Sequence, residues 1–256
     1  KVLTFLVHCE NCDYLYLDNP NWLDIAYRNK FYGDTGYIKR NINLSNQTLI
    51  LFRLWKLISR SKFPSACDIG AGIGFFARIM RDNGYNFFGS DEYSDMVLIK
   101  PFIKDISKFP IKTAFEVVEH LPSLSTFLNN KIKDVDLFLF STELREIGNI
   151  PNDDWWYYNY KIGQHIGFHS KKSLKKAFHI AGYKPDRLLS YGSSIHALAN
   201  TNKWIIAFKV SRIVWKFIYF IEVMKSRILS IVFFEKSKLI SDHYYAMDLL
   251  KKQNKN

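Results

Sequence analysis

The spacing of apolar positions changes several times along the chain, and each change marks an element. Residues 46–60, NQTLILFRLWKLISR, place Leu49, Phe52, Leu54, Trp55 and Ile58 at helical spacing. Short apolar runs at 65–69, 86–90, 102–106, 112–118, 135–141, 184–190 and 194–199 read as strands. Between them the pattern predicts helices over 75–83, closed by Gly84, over 94–100, over 123–131, and over 171–181, closed by Gly182. Strands alternating with helices predict an α/β fold with a doubly wound sheet of about seven strands. Residues 1–45 show no sustained period and carry turn signals at Asp18-Asn19-Pro20 and Gly33-Asp34. Beyond Thr201, a suitable N-cap, the chain is strongly apolar to about Phe234. Lys209, Arg212, Lys216, Tyr219 and Glu222 recur there every three or four residues. That is a long helix with a narrow polar stripe and a wide apolar face. Three regions follow: an N-terminal segment (1–45), an α/β domain (46–200) and a helical extension (201–256).

Composition adds limits. The 256 residues are 48% hydrophobic and 16% aromatic, enough for one sizeable globular domain with an appendage. Net charge is +12, which suits nucleic acid, an anionic membrane or a phosphorylated substrate. No Arg-rich run or nucleic-acid module accompanies it, so nucleic acid is not expected. The start, KVLTFLVHCENC, lacks the pattern of a cleavable signal, and no window of 18 uncharged apolar residues predicts a membrane span. Three cysteines, Cys9, Cys12 and Cys67, are too few for a disulfide framework and fit a reducing, cytoplasmic compartment.

The chemistry begins at ACDIGAGIGFFARIM, residues 66–80. Gly70, Gly72 and Gly74 alternate where the first strand of the alternating region turns into its first helix. A glycine turn there lets a ligand approach the backbone and use free N–H groups at the helix start. The spacing is G-x-G-x-G, not the G-x-G-x-x-G of a nicotinamide site, and no Gly-Lys-Ser/Thr follows, which excludes a P-loop. The next strand, NFFGSDE, ends in Asp91, an acid placed to accept hydrogen bonds from both ribose hydroxyls of a nucleoside. Asp105, after the third strand, is a candidate for an adenine amino group.

With DIGAGIG, GSDE and TAFEVVEHLP in this order, the chain resembles the class I S-adenosylmethionine-dependent methyltransferases over roughly residues 46–200. The resemblance implies a Rossmann-like fold and S-adenosylmethionine as cofactor. It carries cofactor-binding roles onto Asp68, Gly70, Ala71, Gly72, Gly74, Asp91, Asp105 and Glu116. The stretches CENCDYLYLDNPNWLDIAY, DTGYIKRN and WWYYNYKIGQHIGFHSKKSL also resemble a bacterial subgroup associated with glycan and sugar biosynthesis. Members of that subgroup usually begin with two C-x-x-C pairs that form a zinc ribbon. Here only Cys9 and Cys12 stand in that region, and a tetrahedral zinc site needs four ligands. His8 cannot supply both missing positions and Cys67 belongs to the glycine-site strand, so the segment reads as a remnant of a ribbon and no metal is expected.

Between the fifth strand and the next helix lies DDWWYYNYKIGQHIGFHS, residues 153–170, above the cofactor position and where an acceptor enters. Tryptophan and tyrosine rings suit the flat faces of sugars, although packing of the loop on the domain would also use them. His165 is the candidate general base: a hydroxyl acceptor gains from a base with a near-neutral pKa. His120 is expected to line the cofactor pocket or cap a turn, and His169 to belong to the start of the following helix.

The expected activity is therefore methyl transfer from S-adenosylmethionine to an acceptor, with a sugar hydroxyl of a nucleotide sugar or glycan as first choice. Methylation at carbon of a keto sugar is an alternative, and a catalytically silent binding module is another. The apolar face of residues 202–234 must be covered by the domain, a second copy of the chain or a membrane interface. Packing on the domain or on a partner is the first expectation; Lys209, Arg212, Lys216 and Lys225 beside Trp204 and Trp215 make an anionic lipid surface the alternative.

Overall fold

The computed structural model describes residues 4–28, 36–103, 105–160 and 163–233. Strands β1 (Leu6–Cys9) and β2 (Tyr14–Leu17) form an antiparallel hairpin, followed by helices α1 (Leu23–Arg28) and α2 (Tyr37–Ser59). The α/β region then runs β3 (Ala66–Ile69), α3 (Phe75–Asp82), β4 (Phe87–Ser90), β5 (Ile111–Ala114), α4 (Leu124–Lys131), β6 (Leu137–Ser141), β7 (Gly167–Phe168), α5 (Lys171–Ile180), β8 (Leu188–Tyr191) and β9 (Ile195–Ala199). Helix α6 (Asn202–Phe233) closes the order.

The main sheet has six strands in the order β4-β3-β5-β6-β9-β8. Its first four run parallel, β9 runs antiparallel to β6, and β8 runs antiparallel to β9. This is a Rossmann-like α/β sheet covered on both faces. Alternation along the strands sorts the core: Leu137 and Leu139 of β6 face the layer of α2, α3 and α6, while Phe138 and Phe140 face α4 and α5. A second sheet, β1-β2-β7, carries a smaller core in which Leu15, Leu17, Tyr157, Tyr158, Ile166 and Phe168 pack together.

Several elements differ from the sequence expectation. The strand expected at 102–106 is reduced to one parallel bridge between Ile103 and Gly89, which makes six strands rather than seven. Pro101 sits in a 3-10 turn, Lys100–Phe102, and cannot donate to a ladder. The helix expected at 94–100 is a run of turns ending in that same 3-10 segment. The strand expected at 112–118 stops at Ala114, because Glu116 turns left-handed at φ 58°. Helix α2 begins at Tyr37, well before residue 46. The turn expected at Gly33-Asp34 lies outside the described residues, as do residues 234–256.

Helix α6 lies against α2. Trp204, Ala207, Phe208, Ser211 and Trp215 are buried, and Trp204 stacks on Trp55 of α2 with centroids 4.8 Å apart. This face is packed on the domain, the first expectation, and the two tryptophans of the lipid alternative are turned inward. The opposite side exposes Ile206, Ile213, Phe217 and Phe220. Among the described residues no helix is long and apolar enough to cross a membrane.

Candidate active site

The glycine turn joins β3 to α3 at the carboxyl end of the parallel strands, where ligands of such sheets bind. Gly70, Gly72 and Gly74 all have positive φ. Their surroundings differ. A Cβ on Gly70 would lie 2.5 Å from Val117 Cγ2, so the protein itself fills that side. A Cβ on Gly72 would meet only the Tyr37 hydroxyl, at 3.5 Å. Gly72 therefore borders open space in which a ligand can approach its backbone closely.

The end of β4 closes this cradle. Asp91 Oδ2 accepts from the Gly72 amide at 2.7 Å, and Oδ1 accepts from the amides of Tyr93 and Ser94 at 2.8 Å each. Asp68 lies beneath the turn, fully buried, and accepts from Thr113 Oγ1 of β5. Burial pushes its carboxyl up to about 7, against the Thr113 hydrogen bond, with Asp91 adding to the rise. The side chain of Ala71 is buried in the main core, so only its backbone belongs to the turn. Asp105 caps the 3-10 turn Ile106–Lys108: its carboxylate accepts from Ser107 N at 3.0 Å and Ser107 Oγ at 2.8 Å, which holds its pKa below the ordinary value. Glu116, at the end of β5, accepts from Ser141 Oγ at 2.9 Å and lies 3.7 Å from Arg40 Nε.

Next to Glu116 the chain forms a 3-10 turn, Val118–His120, that brings Glu119 and His120 against the loop holding His165. The Ile166 amide donates to Glu119 O at 2.8 Å and fixes this approach. The rings of His120 and His165 lie 5.0 Å apart. His165 Nδ1 sits 2.7 Å from the Tyr157 carbonyl, which can only accept, so the proton is on Nδ1 and Nε2 keeps its lone pair. His120 Nδ1 lies 2.8 Å from the Tyr27 hydroxyl, and Tyr27 stacks on exposed Tyr93, two residues from Asp91. Burial lowers the pKa of both histidines, and His165 lowers His120 further, to about 3. Burial, with Glu116 nearby, raises Glu119 well above the ordinary carboxyl range.

The aromatic loop divides its rings. Tyr157 and Tyr158 are buried in the small core, whereas Trp156 and Tyr160 are exposed. Trp156 packs edge-on to Tyr157 at 5.2 Å, and Tyr157 packs on His165 at 4.7 Å. The loop is held from the N-terminal side: Trp22 Nε1 donates to Gly163 O at 2.8 Å, and Leu17 N to Ile166 O at 2.9 Å. Segment 4–28 thus braces the loop and supplies Tyr27. Cys9 and Cys12 stand at the hairpin turn and Cys67 is buried in β3, all three free thiols. Asp13, beside Cys12, forms a buried ion pair with Arg145 Nη2 at 2.9 Å. His169 is buried just before the capping box of α5, formed by Ser170 and Ser173.

The methyltransferase domain family matches residues 44–188, from α2 through the first residue of β8. The chain belongs to that family. It is a class I S-adenosylmethionine-dependent methyltransferase, an enzyme, and S-adenosylmethionine is its cofactor. No curated protein matches the methyltransferase. Among solved structures it is similar to a Thermotoga maritima S-adenosylmethionine-dependent methyltransferase described as a possible histamine N-methyltransferase. Identity is 14% over 68% of this chain and 97% of that one, with a TM-score of 0.43. It is also similar to magnesium protoporphyrin IX methyltransferase of Synechocystis, at 14% identity over 70% and 94% of the two chains, TM-score 0.39. Human N-acetylserotonin methyltransferase matches at 14% identity over 71% and 66%, TM-score 0.42.

Sequence reasoning found the glycine turn and the β4 acid because strand, turn and helix follow one another in the chain. It passed over Glu119, Tyr27 and Tyr157. Glu119 stands inside the quoted TAFEVVEHLP, and its position next to His120 was the available signal.

Proposed function

We propose that the methyltransferase transfers a methyl group from S-adenosylmethionine to a sugar hydroxyl of a nucleotide sugar or glycan, with His165 as the base. The cofactor supplies an electrophilic methyl on a sulfonium. The backbone around Gly72 and the carboxylate of Asp91 would hold it, since a Cβ at Gly72 would fill the space it needs. The observation that carries the acceptor reading is the ring ladder from exposed Trp156 through Tyr157 to His165. The exposed Trp156 ring would give a sugar a flat apolar face, one buried tyrosine ring away from an imidazole whose Nε2 can take a hydroxyl proton. Alignment of the acceptor oxygen with the methyl carbon supplies much of the remaining rate.

The test is incubation with labelled methyl donor and a panel of nucleotide sugars and glycans. Methyl incorporation at a sugar oxygen is expected, falling by about 10²–10⁴ in His165→Ala. A product methylated at carbon, or no methylated sugar in the panel while S-adenosylhomocysteine binds, overturns the acceptor reading.

A further inference from the structure

We propose that Glu119, His120 and His165 form a binding site for one divalent transition-metal ion facing the acceptor. One potential ligand atom from each residue lies within 4.8 Å of the other two, so small side-chain rotations bring all three onto one ion.

Glu119 is the first sign. Its side chain is 0% exposed and neither carboxylate oxygen has a hydrogen-bond partner among the described residues. Buried carboxylates are paired, protonated or bound to metal. His120 Nε2 lies 3.9 Å from Oε1, beyond hydrogen-bond reach, while Tyr157 and Arg40 are near enough to influence the carboxyl without making a bond of normal geometry to it. A divalent ion seated between the three side chains would supply positive charge directly to this buried carboxylate.

The orientation of the histidines is the second, independent sign. Each is held by Nδ1, His165 on the Tyr157 carbonyl and His120 on the Tyr27 hydroxyl. A hydroxyl can accept as well as donate, so both rings can keep the tautomer that leaves Nε2 as an electron-pair donor. Imidazoles fixed in this way by an outer hydrogen bond are the usual form of a metal-ligating histidine. The Ile166–Glu119 backbone bond sets the spacing of the two contributing segments before any ion arrives.

Two imidazoles and one carboxylate suit zinc, iron, manganese or cobalt better than magnesium or calcium, which prefer all-oxygen sites. Three protein ligands leave a coordination position open. The role of the ion in catalysis rests on the acceptor reading above. A sugar hydroxyl bound at the open position is acidified and releases its proton to solvent. The oxygen then forms the O–CH3 bond as the S–CH3 bond breaks, giving methyl ether and S-adenosylhomocysteine. In the ion-loaded protein His165 is a ligand, and the ion takes over the acidification assigned to it as a base.

The experiment is titration of chelator-stripped protein with Co2+, read by visible absorption. One equivalent is expected to give the d–d bands of a four- or five-coordinate N/O site. Glu119→Gln and His165→Asn are expected to weaken binding by roughly 100-fold or more. Tyr27→Phe is expected to cost about 10–100-fold. Calorimetry with S-adenosylhomocysteine checks that each variant keeps its fold. Absence of the bands in wild-type protein overturns the site, as does a spectrum unchanged by both ligand substitutions. An intense thiolate band abolished by Cys9→Ser would place the ion at the hairpin instead and also overturn it. Full-rate sugar methylation by stripped protein overturns the catalytic role alone. A normal Co2+ spectrum with no sugar methylated overturns the acceptor reading and leaves the site standing.

Discussion

Asp91 accepts a hydrogen bond from the amide of Gly72 at 2.7 Å, so the acid that ends β4 also closes the turn that ends β3. Its other oxygen gathers the amides of Tyr93 and Ser94. Asp91→Ala removes both acceptor oxygens and with them all three hydrogen bonds. Affinity for S-adenosylhomocysteine is expected to fall by about 1–3 kcal/mol, the scale of a lost charge-assisted hydrogen bond. Calorimetry measures it, and an unchanged affinity would remove Asp91 from the cofactor site.

Gly72 and Gly84 make a matched pair. Both are left-handed, at φ 57° and 85°, and a Cβ on either meets no protein atom closer than 3.5 Å. Alanine at each position carries a similar backbone strain, about 1–2 kcal/mol. Gly84 follows α3, away from the cradle. Gly72→Ala is expected to lose cofactor affinity as well as stability, and Gly84→Ala to lose stability alone. Equal cofactor affinities in the two variants would contradict the cradle.

Asp68 predicts a pH dependence. Its carboxyl is raised from 3.8 to about 7 in the folded protein, chiefly by burial. Between these values the folded chain holds a proton that the unfolded chain has released. Stability is therefore expected to fall as pH rises from about 4 and to level off above about 7, a loss on the order of a few kcal/mol. Asp68→Asn keeps an acceptor for Thr113 and has no proton to lose. Urea denaturation at pH 5 and pH 8 should show that this variant lacks the fall attributable to Asp68, and a wild-type slope in the variant would refute the assignment.

Asp13 and Arg145 form the deepest ion pair described. Burial alone would raise the Asp13 carboxyl, but hydrogen bonds involving Ser170, His8, Arg145 and Gly148 hold it well below its usual range. Arg145→Met leaves that buried charge to His8 and the Gly148 amide and is expected to cost up to about 3–5 kcal/mol in urea denaturation. Adding Asp13→Asn should recover part of the loss. A double variant as unstable as the sum of the two singles would mean that the pair is not coupled.

How much could be read in advance follows from distance along the chain. The β3 turn, α3 and β4 are contiguous, and their apolar runs, glycines and terminal acid stand in one reading frame. The covering of α6 was open because its buried face, Trp204 to Trp215, finds its partner in Trp55 and its neighbours on α2. Asp13 and Arg145 are 132 positions apart, and nothing local in either segment points to the other. Glu119 and His165 meet only through a loop whose path depends on a strand pair formed with β2. The third strand failed for a local reason: Pro101, just before the run 102–106, holds its first residue, Phe102, in a 3-10 turn.

The pairing of β2 with β7 makes Tyr14–Leu17 and the His165 loop one exchangeable unit, although most of the enzyme lies between them in sequence. A chimera that imports a relative's acceptor loop over residues 143–170 would receive a strand with no mate, a Gly163 carbonyl without Trp22 and an Arg145 without Asp13. Recombination designed to change acceptor preference should therefore move residues 4–28 together with the loop, leaving the glycine turn and its sheet in place.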